Sequence, residues 1–144
     1  MLRRELNNMP VKAIAKGVKQ SPRKVAVVAA LVRGRTVDDA LVILANTPRR
    51  SAIAVSKVIS SARSNADYNH NYIPSTLKIT EIIVTPGPRS KRFRPIARGS
   101  AHPYMKRTSH IRVVVDGEVR KLKTEVQSTS ASKSKAVASP KEKK

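Results

Sequence analysis

Residues 77–116 read LKITEIIVTPGPRSKRFRPIARGSAHPYMKRTSHIRVVVD. Both ends of this stretch are apolar and β-prone. In Thr108 to Asp116, Ile111, Val113 and Val115 alternate with His110, Arg112 and Val114, and Leu77 to Thr85 is its counterpart. Alternation with a period of two marks strands with one buried face, so two strands of a single antiparallel sheet are predicted. Between them, Pro86 to Arg107 is too polar and too rich in Pro and Gly for a core helix. A connection of that length inside a compact domain is functional or disordered as a rule. Pro86, Pro88, Pro95 and Pro103 restrict the backbone, which lowers the entropy lost on ordering. If the two arms continue the flanking strands, about ten or eleven residues per arm at ~3.3 Å each reach roughly 35 Å, well beyond the body of a small domain. Such an arm is hard to stabilise alone and makes sense when threaded into a partner.

Upstream, the pattern becomes helical. Val11 to Lys19 reads as a short strand with a basic face, interrupted at Gly17. Ser21-Pro22 then suits the start of a helix, with Ser as N-cap and Pro at the first helical position. Val25, Val28, Ala29 and Val32 share one face of that helix, and Gly34 after Arg33 ends it. Thr36 caps a second helix with Asp38 and Asp39 in its first turn, where carboxylates favour the helix dipole, and with Val37, Ala40, Leu41 and Leu44 as its stripe. Asn46-Thr47-Pro48 breaks it. A third helix follows from about Pro48 to Asp67, with Ala52, Val55, Ile59, Ala62 and Ala66 at steps of three and four. The fold class expected is α+β: three helices packed on a small antiparallel sheet, with a long extended β-hairpin. Residues 1–10 are expected to form an N-terminal extension, 11–118 one domain including the hairpin at 86–107, and 119–144 a basic disordered tail with almost nothing to bury.

Thirty Lys and Arg against nine Asp and Glu give a formal charge of +21 over 144 residues. That much like charge repels itself unless a polyanion neutralises it, and nucleic acid is the natural partner. A membrane surface is disfavoured, because the basic segments lack bulky apolar residues and a lipid anchor. The longest apolar run, Val25 to Val32, is far short of the ~20 residues that span a bilayer, and Met1 to Pro10 has no signal-like apolar core. A soluble cytoplasmic protein is expected, with no obligate homo-oligomer. Cys is absent, which excludes disulfides, thiolate catalysis and Cys-ligated zinc. His70, His102 and His110 show no metal-ligand spacing, the acidic residues are dispersed, and no phosphate-binding Gly-rich loop is present. Neither an enzyme nor a metal or cofactor site is predicted. Phe93 is the only Phe and Tyr68, Tyr72 and Tyr104 are scattered, so recognition by phosphates and shape is expected rather than base stacking on a sheet.

Thr85 to Arg112 carries eight cations and no carboxylate: Arg89, Lys91, Arg92, Arg94, Arg98, Lys106, Arg107 and Arg112. Short charge runs are ordinarily solvated surface. Here the length and the restricted backbone favour an RNA-binding arm, with His110 beside it. A second basic set, Lys16, Lys19, Arg23 and Lys24, straddles the strand-to-helix junction at Ser21, where backbone N–H groups of a helix start can also bind phosphate. Arg49 and Arg50 lie at a helix N-terminus, where cations are unfavourable without an anion nearby, whereas Arg33 and Arg35 near a helix end can simply complement the dipole. A DNA-packaging architectural protein would share this charge, but only Ile96 and Phe93 could serve as its apolar wedges.

The same residues resemble a known family, the large-subunit ribosomal protein twenty-two family in its bacterial form. Ser21-Pro22-Arg23-Lys24-Val25 with Leu31-Val32-Arg33-Gly34 is similar to its first helix, and Ala62 to Asn69, with Asn65-Ala66, to the end of its long helix. Most specific are Gly87-Pro88, Lys91-Arg92, Pro95, Ala97, Gly99, Ala101 and Lys106-Arg107-Thr108-Ser109-His110-Ile111, in the family's register without a gap. The resemblance covers residues 11 to 116. It implies a structural constituent of the large ribosomal subunit that binds and helps assemble large-subunit rRNA, beside other large-subunit proteins. It also implies a hairpin tip that lines the nascent-peptide exit tunnel near ribosomal protein four. By position the tunnel-lining residues would be Arg98, Gly99, Ser100 and Ala101, facing the nascent peptide. Ile96 and Ser100 stand where family members usually carry Arg, which reduces the tip's charge, and Pro103 departs from the usual pattern beside it.

Overall fold

The Pro-rich segment continues both flanking strands. In the computed structural model, which describes residues 10–120, the chain runs β1 (Val11–Val18), α1 (Pro22–Val32), α2 (Val37–Ala45), α3 (Arg50–His70), a 3-10 turn (Pro74–Thr76), β2 (Lys78–Pro95), a second 3-10 turn (Ala97–Gly99) and β3 (Ala101–Asp116). Residues 1–9 of the N-terminal extension and the tail beyond Arg120 lie outside the described residues. The architecture is α+β, with an antiparallel sheet ordered β1-β3-β2. Pairing with β1 ends at Val18↔Ser109, so the remainder of β3 pairs only with β2, as a two-stranded ribbon from Arg89↔Arg107 to Pro95↔Ala101.

The helices cover one face of the sheet. Val25, Val28 and Val32 of α1, Val55 and Ile59 of α3, and Ile79, Ile82, Ile111, Val113 and Val115 of the strands are all buried in one cluster. Each such side chain contributes about 1.5–3 kcal/mol by leaving water. Ala52, Ala62 and Ala66 on α3 are also fully covered, and small residues there let α3 lie close to β1, α2 and β3. None of the buried apolar side chains belongs to residues 86–107, so the ribbon adds nothing to the core.

Several boundaries differ from the sequence reading, each for a local reason. Ser21 is the N-cap of α1, but its side chain makes no cap hydrogen bond; its carbonyl accepts from the Lys24 and Val25 N–H groups instead. Thr36 does cap α2, accepting from the Asp39 N–H at 3.3 Å while its hydroxyl donates to the Asp39 carboxylate at 2.6 Å. Leu41, read as part of the α2 stripe, is only half-buried. Pro48 lies before α3, which starts at Arg50 and continues a turn past Asp67. It stops where Asn71 enters the left-handed region (φ 52°) and the Tyr72 N–H bonds back to the Ala66 carbonyl at 3.0 Å. That reversal is the usual way a helix closes its last carbonyls. Val119 and Arg120, assigned above to the tail, are tied to the body: Val119 bridges Tyr72, the Arg120 N–H donates to the Asn71 carbonyl at 2.7 Å, and its guanidinium pairs with Asp67 at 2.9 Å.

Tyr72 sits under that closure. Burial pushes its hydroxyl above the ordinary phenol pKa, and the Asp116 carboxylate adds to the rise. The folded chain therefore holds this proton to higher pH than the unfolded chain does. The associated stability is intact below the unfolded value of about 10 and is lost as pH rises through the folded value. Thermal unfolding measured from about pH 8 upward should show a midpoint that declines above about pH 10, and Tyr72→Phe should flatten that decline. An unaltered slope in the variant would assign the alkaline loss elsewhere.

Candidate nucleic-acid interface

Two cationic clefts meet at the first turn of α1. In the first, Lys19, Gln20 and Lys24 face Arg49, Arg50 and Ser51 across about 480 Å³. β1 ends at Val18, a turn closed by the Gln20 N–H on the Val18 carbonyl at 2.7 Å leads into α1, and the buried Ser51 hydroxyl donates to the Lys24 carbonyl at 3.4 Å. That contact holds the start of α3 against the start of α1. Neither helix has a carboxylate in its first turn. Cations beside two helix N-termini raise the local potential twice over, an arrangement that an anion relieves.

The second cleft, about 210 Å³, is lined by Pro22 and Arg23 of the body and by Pro86, Gly87, Arg89, Arg107 and Thr108 at the base of the ribbon. Arg89 and Arg107 are direct cross-strand partners. Like charges in that position are destabilising unless something negative lies between or beside them. One extra residue in β2 between Pro86 and Arg89 bulges the strand here, and the Thr108 hydroxyl clasps the bulge by donating to the Pro88 carbonyl at 2.7 Å. A β-carbon on Gly87 would fall 2.6 Å from that hydroxyl oxygen and 3.3 Å from two atoms of the His110 ring. Gly87→Ala should therefore lower stability by about 1–3 kcal/mol, as forced overpacking does. Adding Thr108→Ala should recover part of the loss in a denaturant titration, and no recovery would mean that the clash lies elsewhere.

His110 is committed on one side. Its Nδ1 accepts the Gly17 N–H at 3.0 Å, where Gly17 (φ +70°) forms the bulge that ends the regular pairing of β1. Lys16 lies exposed on the same bulge, outside the linings of both clefts. Arg112 is also set apart from the hairpin cations. It occupies the central strand between Ile14 and Ile83, half-buried, with its Nε lacking a hydrogen-bond partner. Arg33 and Arg35 are used internally, donating to the Ile82 carbonyl at 3.1 Å and the Leu31 carbonyl at 3.0 Å.

Further out, the register divides the ribbon into two faces. Cross-strand partners share a face, as do residues two apart. Ser90, Lys106, Arg92, Tyr104, Arg94 and His102 fall on one; Lys91, Met105, Phe93, Pro103, Pro95 and Ala101 fall on the other, with Arg89 and Arg107 at its base. On the first face the Arg94 guanidinium stands 4.9 Å from the centre of the Tyr104 ring. The ribbon turns through Ala97–Gly99, with Arg98 (φ 59°) and Gly99 (φ 72°) both left-handed and the Ile96 N–H bonded to the Ser100 carbonyl at 2.8 Å. Arg98, Gly99 and Ser100 are thus at the apex, while Ala101 already belongs to β3, opposite Pro95.

Among the described residues the salt bridges are Arg63–Asp38 at 3.1 Å and Arg120–Asp67, neither of which uses a cation of the clefts or the ribbon. Also among the described residues, no group of His, Asp and Glu side chains could hold a metal ion, and no helix is long and apolar enough to cross a membrane. Sequence reasoning missed Gln20 and Ser51. Ser51 sits one position before Ala52 on the buried side of α3, the only local sign of its role.

The ribosomal protein L22p/L17e family matches residues 13–116 of the chain. Large ribosomal subunit protein uL22 of Clostridioides difficile is 50% identical over 107 residues, which cover 74% of this chain and 96% of that protein. The protein of the same name from Herpetosiphon aurantiacus is 46% identical over 112 residues, 77% of this chain and 99% of the relative. That from Clostridium tetani is 49% identical over 107 residues, again 74% and 96%.

Proposed function

The chain belongs to the ribosomal protein L22p/L17e family of large-subunit ribosomal proteins, and from that membership we propose that it binds large-subunit rRNA by clamping phosphates from separate RNA segments. The observation that carries this reading is the pair of clefts around α1. Lys19, Lys24, Arg49 and Arg50 converge in one and Arg23, Arg89 and Arg107 in the other, without a carboxylate in either lining. Ser21, whose hydroxyl makes no cap bond, stands at the junction between them. Among the described residues, folding supplies these clefts with no countercharge, and a polyanion is the group that does.

The ribbon extends this surface. Lys91, Arg92, Arg94, Arg98 and Lys106 reach RNA that the body cannot, while Lys16, His110 and Arg112 supply contacts nearer the sheet. The apex around Arg98, Gly99 and Ser100, with Ala101 below it, lines the nascent-peptide exit tunnel beside ribosomal protein four and meets the nascent peptide. In assembly the body and the arm hold RNA segments that lie apart from each other.

The test is binding of the full chain to large-subunit rRNA as salt is raised. Each neutralised phosphate releases condensed counterions, so with about six or more contacts affinity should fall roughly a thousandfold or more between about 50 and 200 mM salt. Affinity that barely changes over that range rejects a phosphate-led mechanism.

A further inference from the structure

The ribbon holds two of its largest apolar side chains outside the buried core. Phe93 is 74% exposed and Met105 50%, on a two-stranded arm that shares no core with the body. By register they lie on the same face, Phe93 opposite Pro103 and Met105 opposite Lys91. The other face has an internal partner for its aromatic ring, since Arg94 covers Tyr104. Among the described residues, the Phe93 ring takes part in no aromatic or cation contact.

The surroundings decide what the face accepts. Lys91 lies two residues from Phe93, about 7 Å along the strand, and Arg89 and Arg107 follow at about twice that distance on the same face. No carboxylate occurs between Thr85 and Arg112. A purely apolar ligand would leave those cations without countercharge. A nucleotide satisfies both: its base has an apolar π-face for the ring, and its phosphates suit the Lys91 side. Base–aromatic stacking of this kind tolerates any sequence, because every base presents such a face, and Met is unbranched and adapts to the shape beside it.

We infer that Phe93 and Met105, with Lys91 on their flank, form a seat for an unpaired nucleobase of RNA. This rests on the rRNA reading above and adds a stacking contact to a mechanism otherwise built on phosphates. It is a single stacked base on the arm, distinct from the stacking of successive bases across a sheet that the sparse aromatic content argues against.

The two kinds of contact have different signatures. Stacking changes affinity without releasing counterions, so it shifts the line of log affinity against log salt without changing its slope, whereas loss of a phosphate contact lowers the slope. The experiment uses the full chain, large-subunit rRNA and the variants Phe93→Ala, Phe93→Leu and Phe93→Trp, with circular dichroism to show that each folds. Phe93→Ala should weaken binding about ten- to hundredfold at every salt concentration, Phe93→Leu should recover little, and Phe93→Trp should bind at least as well as the parent. Ultraviolet crosslinking of the parent complex should join the Phe93 peptide to a nucleotide. Unchanged affinity in Phe93→Ala, Leu serving as well as Trp, or a changed slope overturns the base seat. In assembled subunits, a photoreactive residue at position 93 that crosslinks to protein and not RNA overturns it too. If the parent chain itself shows no salt-dependent binding, the rRNA reading fails before the variants are compared.

Discussion

Removing Arg89 to Lys106 and joining Pro88 to Arg107 through Asn-Gly will leave a folded body that has lost most of its grip on RNA. The cut keeps the buried cluster, the β1-β3-β2 pairing up to Ser109, and the Thr108 hydroxyl on the Pro88 carbonyl. Asn-Gly suits the tight turn that rejoins the strands. Every apolar side chain removed is one that water already reaches, so the unfolding midpoint should move by no more than about 8 °C, the equivalent of roughly 1 kcal/mol for a body of this size. RNA binding is another matter. Arg89, Lys91, Arg92, Arg94, Arg98 and Lys106 all leave, and if each meets a phosphate the slope of log affinity against log salt should fall by about 4–5. Incorporation into large subunits beside the full-length chain should drop accordingly. A truncated chain that is unfolded would disprove the separation of body from arm; one that competes equally with the parent would show that the arm adds no binding.

The second large effect belongs to the first cleft. Changing Lys19, Lys24, Arg49 and Arg50 together to Gln removes four cations that fold around one space. Their mutual repulsion is relieved, so the unbound protein should unfold at the same temperature or slightly higher. Binding to large-subunit rRNA should fall by two orders of magnitude or more at moderate salt, with the slope reduced by about 3. The opposed signs make the measurement decisive: a variant that loses stability and keeps its affinity would make these side chains part of the fold.

What could be read from sequence was what neighbours in the chain decide. The α1 stripe, the Thr36 cap with its Asp pair, the breaker at Pro48 and the inward set Ile111, Val113 and Val115 depend on spacings of two to four residues and appear in the structure, but Val114, read as belonging to the open side of the strand, is buried as well. The basic sets were visible as sets. Their grouping was not, because Lys19 and Lys24 meet Arg49 and Arg50 only once α3 packs back on α1. Nor was the division of the ribbon. One extra residue in β2 at the Pro86–Arg89 bulge changes which face every later side chain takes, and composition carries no trace of it. Arg112 shows the converse. It looked like one more hairpin cation, but its strand had already entered the body, where Ile14 and Ile83 flank it.

The central position of β3 has a consequence for how the chain reaches this shape. Val11 at the start of β1 pairs with Val115 near the end of β3, and β1 meets the rest of the sheet chiefly through β3. The pairing that completes the sheet therefore spans almost the entire body, and such distant contacts must overcome loop-closure entropy before they return any energy. Until β3 arrives, Ile79 and Ile82 on β2 and Val11 and Ala13 on β1 lack the strand between them, and α1 and α3 have no finished surface to cover. During synthesis from the N-terminus, local helices can form early, but the sheet must wait for the last strand. A nascent chain halted before Ile111 is a set of apolar stripes without a floor, prone to stick to whatever apolar surface it meets.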